Sequence, residues 1–285
     1  MTNRIRLFAL LGIMLAILLH APSAQAQQAR AWISGINGDD LNPCSRTAPC
    51  RTFQGAIAKT SAGGEIDLLD PHGAGQVSIN KSITIDGGNG QGANINASGV
   101  NGIVISTGTV ILRNLRINGG GTGLDGILVK GSGRLLIENC EIYGFASHGI
   151  AIEISGGTSQ VVINNTRIFG NGQGGIQVKP SGGGTTVSVR EVVTAGNAFG
   201  IGLDTTGGGT ASVMVERTNV SENTGNGIQV TGAGATLQIN NAEIQHNSTG
   251  VSITAPADVR SFKNNVIAQN GSVNVTGNLG SNTPQ

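Results

Sequence analysis

A glycine followed by an apolar residue returns at Gly102, Gly126, Gly149, Gly175, Gly200, Gly227 and Gly250, at intervals of 24, 23, 26, 25, 27 and 23 residues. After each glycine, apolar residues alternate with others: Ile103/Ile105, Ile127/Val129, Ile150/Ile152, Ile176/Val178, Ile201/Leu203, Ile228/Val230 and Val251/Ile253. A period of two is that of a strand with one face buried. A second column of pairs precedes the glycines: Val110/Leu112, Leu135/Ile137, Val161/Ile163, Val187/Val189, Val213/Val215 and Leu237/Ile239. A third column reads Ile117, Ile142, Ile168, Val220, Ile244 and Ile267.

Each unit therefore offers three short strands separated by Gly- and Asn-rich turns. One unit cannot bury its own inward face, whereas stacked units can, each strand pairing in parallel with its copy one coil away. The leucine-rich pattern and its helical return are missing, and a propeller blade needs roughly 40 residues. The predicted fold is an all-β parallel β-helix of about nine coils, ~40 Å long at ~4.8 Å per coil. Its 47 glycines show no triplet period, which excludes collagen; they mark corners and close backbone approaches. Asn114, Asn139, Asn165, Asn241 and Asn264 share a slot three residues before the third column, interrupted by Glu191 and Arg217. Asparagine tolerates the left-handed region, so a turn ladder is expected there in preference to an amide-lined binding groove.

Charge narrows the function classes. A formal net charge of +1 with 12% charged residues supplies no basic field for nucleic acid. Aromatics at 3% poorly supply extended stacking strips. Arg4 and Arg6 precede an apolar run from Leu7 to Leu19, and Ala24-Gln25-Ala26 provides a small-residue cleavage site. Residues 1–26 read as a secretory signal peptide, the alternative being a retained N-terminal anchor. No later segment reaches membrane-spanning length, so the mature chain is expected to be exported, secreted or periplasmic, with no membrane span. Export favours a disulfide between Cys44 and Cys50, which bracket "CSRTAPC", and leaves Cys140 a half-buried free thiol.

The segment "WISGINGDDLNPCSRTAPCRTFQGAIAKTSAGGEIDLLDPHGAGQVSINKSITIDG" adds a resemblance. With Gly38-Asp39, Asn42-Pro43, Pro49 and Thr52-Phe53-Gln54, it resembles the opening of bacterial secreted right-handed parallel β-helix proteins of the pectin lyase-like superfamily. The resemblance implies a right-handed solenoid whose N-terminal end is closed by a short α-helical cap over the Thr-Phe-Gln-x-Ala-Ile stretch. Phe53, Ala56 and Ile57 have suitable helical spacing for it. The expected organisation is a signal peptide over 1–26, a cap segment over 27–62, repeats over 63–275 and a polar tail over 276–285. The family includes pectate lyases, alginate lyases, polysaccharide epimerases and members without demonstrated chemistry.

Lyase and epimerase chemistry on uronate polymers needs a base for the C5 proton and something to neutralise the carboxylate, which calcium-dependent members do with acidic clusters. Charges in the repeat alternate in sign from coil to coil: Lys130, Glu153, Lys179, Asp204 in one slot; Arg113, Glu138, Arg190, Glu216 in a second, which also takes in Asn164, Asn240 and Lys263; Arg116, Glu141, Arg167 in a third. Such ladders fix register and leave no calcium cluster, so neither metal nor other cofactor is expected. Asp125 and His148 share the slot immediately before the repeat glycine and could hydrogen-bond, and Tyr143 lies at a nearby strand end. These three form the candidate catalytic set, although Asn101 and Asn226 occupy the same slot as ordinary turn residues. Asp70-Pro71-His72 is similar to part of the Asp-Pro-His-Glu motif of alginate epimerases, with Gly73 in place of Glu, and makes Asp70 and His72 a second candidate pair. The leading expectation is an exported, non-catalytic protein presenting a polar ribbed surface to polysaccharide or a cell-envelope component. The alternatives are a uronate-polymer lyase or epimerase and a rigid element of a surface assembly.

Overall fold

Each apolar column becomes a parallel sheet. The computed structural model describes residues 27–70, 72–88 and 93–282; the expected signal peptide lies outside them. Within one coil, Gly133–Glu138 belongs to an eleven-stranded sheet (sheet A), Glu141–Phe145 to a nine-stranded sheet (sheet B) and Ile150–Ile152 to a second nine-stranded sheet (sheet C). The chain then returns to sheet A at Thr158. Every pairing is parallel and joins equivalent residues of successive coils, such as Ile137 with Ile163, Ile142 with Ile168 and Ile150 with Ile176. The columns fill the interior: Ile137, Ile142, Ile150, Ile163, Ile168 and Ile176 are fully buried. At ~1.5–3 kcal/mol for each such side chain, this stacking is the main stabilising term. The third column is continued through its gap by Thr194, also fully buried, opposite Ile168.

The repeat glycine is dictated by contact between coils. A Cβ on Gly126 would lie 2.4 Å from the carbonyl oxygen of Gly149 and 2.5 Å from Ile142 Cγ2. The same clash would arise at Gly175, whose Cβ would meet the Gly200 carbonyl at 2.7 Å. Backbone carbonyls thus pack where a side chain would stand.

The corner between sheets A and B is a single left-handed residue: Asn114, Asn139, Asn165, Glu191, Arg217 and Asn241 all have φ between 44° and 59°. Asn139 Nδ2 donates to Asn114 Oδ1 at 2.6 Å, as expected of a turn ladder. In the last coil the position falls on Lys263 (φ 66°), not on Asn264. Because Ile239 pairs with Ser261, Lys263 also sits one residue beyond the slot shared by Glu216 and Asn240. Asn264 instead caps from its shifted place, its Oδ1 accepting from Asn241 N at 3.0 Å.

A second amide ladder, inside the corner between sheets B and C, was not expected. Asn171, Asn197, Asn223 and Asn247 are all at most 3% exposed. Asn171 N and Nδ2 both donate to Asn197 Oδ1 at 3.0 Å, Asn197 N and Nδ2 to Asn223 Oδ1 at 3.1 Å, and Asn223 Nδ2 to Asn247 Oδ1 at 2.9 Å. Each side chain satisfies both a neighbouring amide and a backbone N–H that the turn leaves without a strand partner. Phe145 closes the ladder, its N–H donating to Asn171 Oδ1 at 3.1 Å.

The N-terminal end is covered as the resemblance implied. Thr52 caps the helix Phe53–Lys59, its Oγ1 accepting from Gly55 N at 2.9 Å, and Phe53, Ala56 and Ile57 are buried. Asp40 accepts from Arg51 N, Thr52 N and Thr52 Oγ1, which fixes the cap to the preceding loop. Cys44 and Cys50 form a disulfide, and Cys140 is a free, buried thiol. The opening segment also contributes a strand, Gln28–Ile33, paired in parallel with Thr60–Leu68. At the other end Leu279–Ser281 adds the last strand of sheet A. Among the described residues no helix is long and apolar enough to cross a membrane.

Candidate functional site

Asp125 and His148 stand at the entrance to sheet C, each two residues before a strand, Ile127–Val129 and Ile150–Ile152. The slot before each repeat glycine stacks Asn101, Asp125, His148, Gly174 and Phe199 in successive coils, as the backbone bonds Gly102 N to Asp125 O, Gly126 N to His148 O and Gly149 N to Gly174 O require. Asp125 and His148 meet as expected: His148 Nδ1 lies 3.0 Å from Asp125 Oδ1. The same oxygen accepts the His148 backbone N–H at 3.0 Å, just as Asn101 Oδ1 accepts Asp125 N at 3.0 Å. The carboxylate therefore continues a chain of side chains that cap backbone donors. Burial pushes the Asp125 pKa up, but hydrogen bonds from the His148 ring and backbone and from Ser147 outweigh it and hold it below its ordinary value. An ionised Asp125 is acceptor-only, so His148 Nδ1–H donates to it. Gly174 has no side chain, and the Phe199 ring lies over it, 6.0 Å from the His148 ring. His148 keeps 13% of its side chain exposed.

Tyr143 does not join them. It sits on the outer face of sheet B, stacked on Phe169 at 5.0 Å with the planes 4° apart, and its hydroxyl accepts from Arg116 at 3.4 Å. Two residues of strand and a turn separate it from His148, and the corner turns the two side chains onto different faces. The second candidate pair fares differently at its two members. Asp70 is a loop cap, accepting from Ser34 Oγ and from Gly35 N at 2.7 Å. His72 lies on the strand His72–Ala74, and its side chain is outside the described residues.

Further along sheet C, side chains outline a groove of about 430 Å³ that sequence reasoning missed. Gln177, Gly202, Gln229 and Ser252 form one register row, and Lys179, Asp204, Thr231 and Thr254 the next. The groove spans four coils, ~14 Å at the coil spacing. The available signal is in the outward row two residues after the repeat glycine, which changes from Val104, Leu128 and Ala151 to Gln177, Gln229 and Ser252. Lys179 pairs with Asp204 at 3.1 Å. Burial raises the Asp204 pKa, but hydrogen bonds from Thr206 and Lys179 bring it below the ordinary carboxylate value. A larger groove, about 560 Å³, crosses sheet A and is lined by Thr158, Thr186, Thr210 and Ser212 with no ionisable side chain.

The charge ladders are partly as expected. Glu141 is shared by Arg116 and Arg167, each at 3.0 Å, and Arg190 pairs with Glu216 at 2.8 Å. Among the described residues Glu153 is within ion-pairing distance of neither Lys130 nor Lys179, because Lys179 turns to the next coil. Arg113 likewise turns from Glu138 to Asp86 (2.7 Å) and Glu65 (3.4 Å). Those two acids and Asp67 bring carboxylate oxygens within 4.8 Å of one another, the one grouping among the described residues that could hold a cation. It escaped the sequence reading because Asp67 and Asp86 become neighbours only through pairing of the first coils. Arg30 and Arg113 bridge the three acids and offset two of their three negative charges.

The family described as "right handed beta helix region" matches residues 67–213, just over half of the chain. The A-module of a mannuronan C-5 epimerase from Azotobacter vinelandii superposes with a TM-score of 0.50 at 14% identity, over 90% of this chain and 90% of that one. A pectate lyase gives 0.48 at 15% identity, over 86% and 80%. At such identities the likeness is one of fold. No curated protein matches the sequence.

Proposed function

Because this chain belongs to the right handed beta helix region family, we propose that it uses its ribbed outer surface to bind polysaccharide without altering it chemically. The observation that carries this reading is the groove on sheet C, where amides and hydroxyls line the walls and the charged side chains, Lys179 and Asp204, neutralise each other. Gln229, Asn226, Thr231 and Ser252 offer donors and acceptors suited to sugar hydroxyls. Lyase chemistry needs unpaired positive charge converging beside a base, to stabilise a carbanion next to a carboxylate. Here the lysine of the groove, Lys179, is already paired with Asp204, and Asp125 is occupied in capping His148. Export of the protein fits the Cys44–Cys50 disulfide, which persists in oxidising compartments. Affinity electrophoresis through gels containing uronate polymers tests the reading. Retardation of the wild-type protein supports it, and mobility equal to that in a blank gel sinks it.

One observation favours a second reading, a uronate-polymer lyase or C5-epimerase. Asp125 fixes the His148 tautomer and leaves Nε2 as the basic nitrogen, the arrangement a general base requires. Product formation lost in His148→Ala would establish that reading over the first.

A further inference from the structure

The aromatic residues are few, but the fold gathers two of them outside. Tyr143 and Phe169 occupy one outward row of sheet B, in register with Asn118 on one side and with Ala195 and Ser221 on the other. Their ring separation of 5.0 Å is the spacing of the coils themselves, so each ring lies flat across the row. The stack stops at Phe169: the next positions are a methyl and a hydroxymethyl group. Arg167 stands over the Phe169 ring, its guanidinium carbon 5.3 Å from the centroid, with 63% of its side chain exposed. One of its nitrogens is bound by Glu141 at 3.0 Å, which orients the fork and leaves other donors facing solvent. Val193, in register with Arg167, adds an exposed apolar contact.

We propose that this step on sheet B is a subsite for one acidic sugar of a uronate-type polysaccharide, a site separate from the groove on sheet C. The C–H face of the pyranose continues the Tyr143–Phe169 stack over Ala195, and the sugar carboxylate takes the free donors of Arg167. An aromatic ring supplies contact area at little conformational cost, and a guanidinium recognises a carboxylate through paired N–H donors. The inference rests on the polysaccharide-binding reading and adds to it the place and the charge of the ligand.

The test measures retention of purified protein in gels of polygalacturonate and of the same polymer with its carboxyl groups reduced to neutral alcohols. Phe169→Ala should weaken binding to both polymers several-fold, up to about tenfold, from the loss of one stacking contact. Phe169→Tyr should restore it. Arg167→Gln should weaken binding to the acidic polymer and leave the neutral one unchanged. Phe169 lies on the outer surface, so unchanged melting temperatures in these variants separate binding effects from misfolding. Full retention of Phe169→Ala, with loss in Gln229→Ala on sheet C, overturns the subsite while leaving the binding reading standing. Absence of retention in the wild type overturns both.

Discussion

Replacing Asn197 by alanine should be among the most damaging single changes outside the apolar columns. Its Oδ1 accepts from Asn171 N and Nδ2, both at 3.0 Å, and its Nδ2 donates to Ile168 O at 3.3 Å and Asn223 Oδ1 at 3.1 Å. Alanine keeps the backbone bond from residue 197 N to Asn223 but orphans two donors and one carbonyl in an environment only 1% exposed. At ~1–3 kcal/mol for each of these three unsatisfied buried groups, the expected loss is roughly 3–9 kcal/mol. The control is Asn139→Gly, in the outer corner, where φ is 53° and glycine removes only two exposed side-chain bonds, one donated to Asn114 and a longer one accepted from Asn165. That change should cost about 1 kcal/mol or less. Urea denaturation of both variants measures the difference, and native-state hydrogen exchange locates it, since a solenoid can open coil by coil. Asn197→Ala should lower the midpoint far more and specifically deprotect the Asn171 amide. Equal midpoints for the two variants would show that the buried ladder carries no special share of the stability.

Alkylation of the unreduced protein should label no cysteine in the folded state and one after unfolding: Cys44 and Cys50 are joined, and burial pushes the Cys140 thiol up to about 12. Stability should fall as pH drops below about 4, because Asp40, Asp86, Asp125 and Asp204 all have folded pKa values below their ordinary one. Their contribution is present above the unfolded value of ~3.9 and is lost as pH falls through the folded values; a melting temperature flat from pH 6 to about pH 3 would contradict this. Glu141→Gln removes two exposed ion pairs and should cost about 1 kcal/mol or less, a difference that high salt erases.

The repeat made the fold legible because period-two columns and a fixed glycine slot have one common solution, and register followed from counting. The slot shared by Asp125 and His148 was readable for the same reason. Tyr143 was not: its distance in sequence from His148 is short, but the corner between sheets B and C turns the two onto different faces. The buried ladder through Asn171, Asn197, Asn223 and Asn247 was passed over in favour of the asparagines at the outer corner, although Glu191 and Arg217 interrupt that run. Both sets repeat at the coil length, and only burial separates them. Side-chain choice was also beyond counting. Glu153 has cationic neighbours in its slot, yet Lys179 turns to Asp204, whose carboxylate Thr206 also holds. The grouping of Glu65, Asp67 and Asp86 arises only from how the capping segment meets the first coils.

The central claim, binding of polysaccharide without chemistry, is tested most directly by prolonged incubation of the protein with polymannuronate and polygalacturonate, with and without calcium. Proton NMR of polymer composition and ultraviolet absorbance of unsaturated ends provide the readout, alongside gel retardation of the same preparation. The account predicts retardation with unchanged composition and no unsaturated product. Epimerised or cleaved polymer formed by the wild-type protein and not by His148→Ala would contradict it.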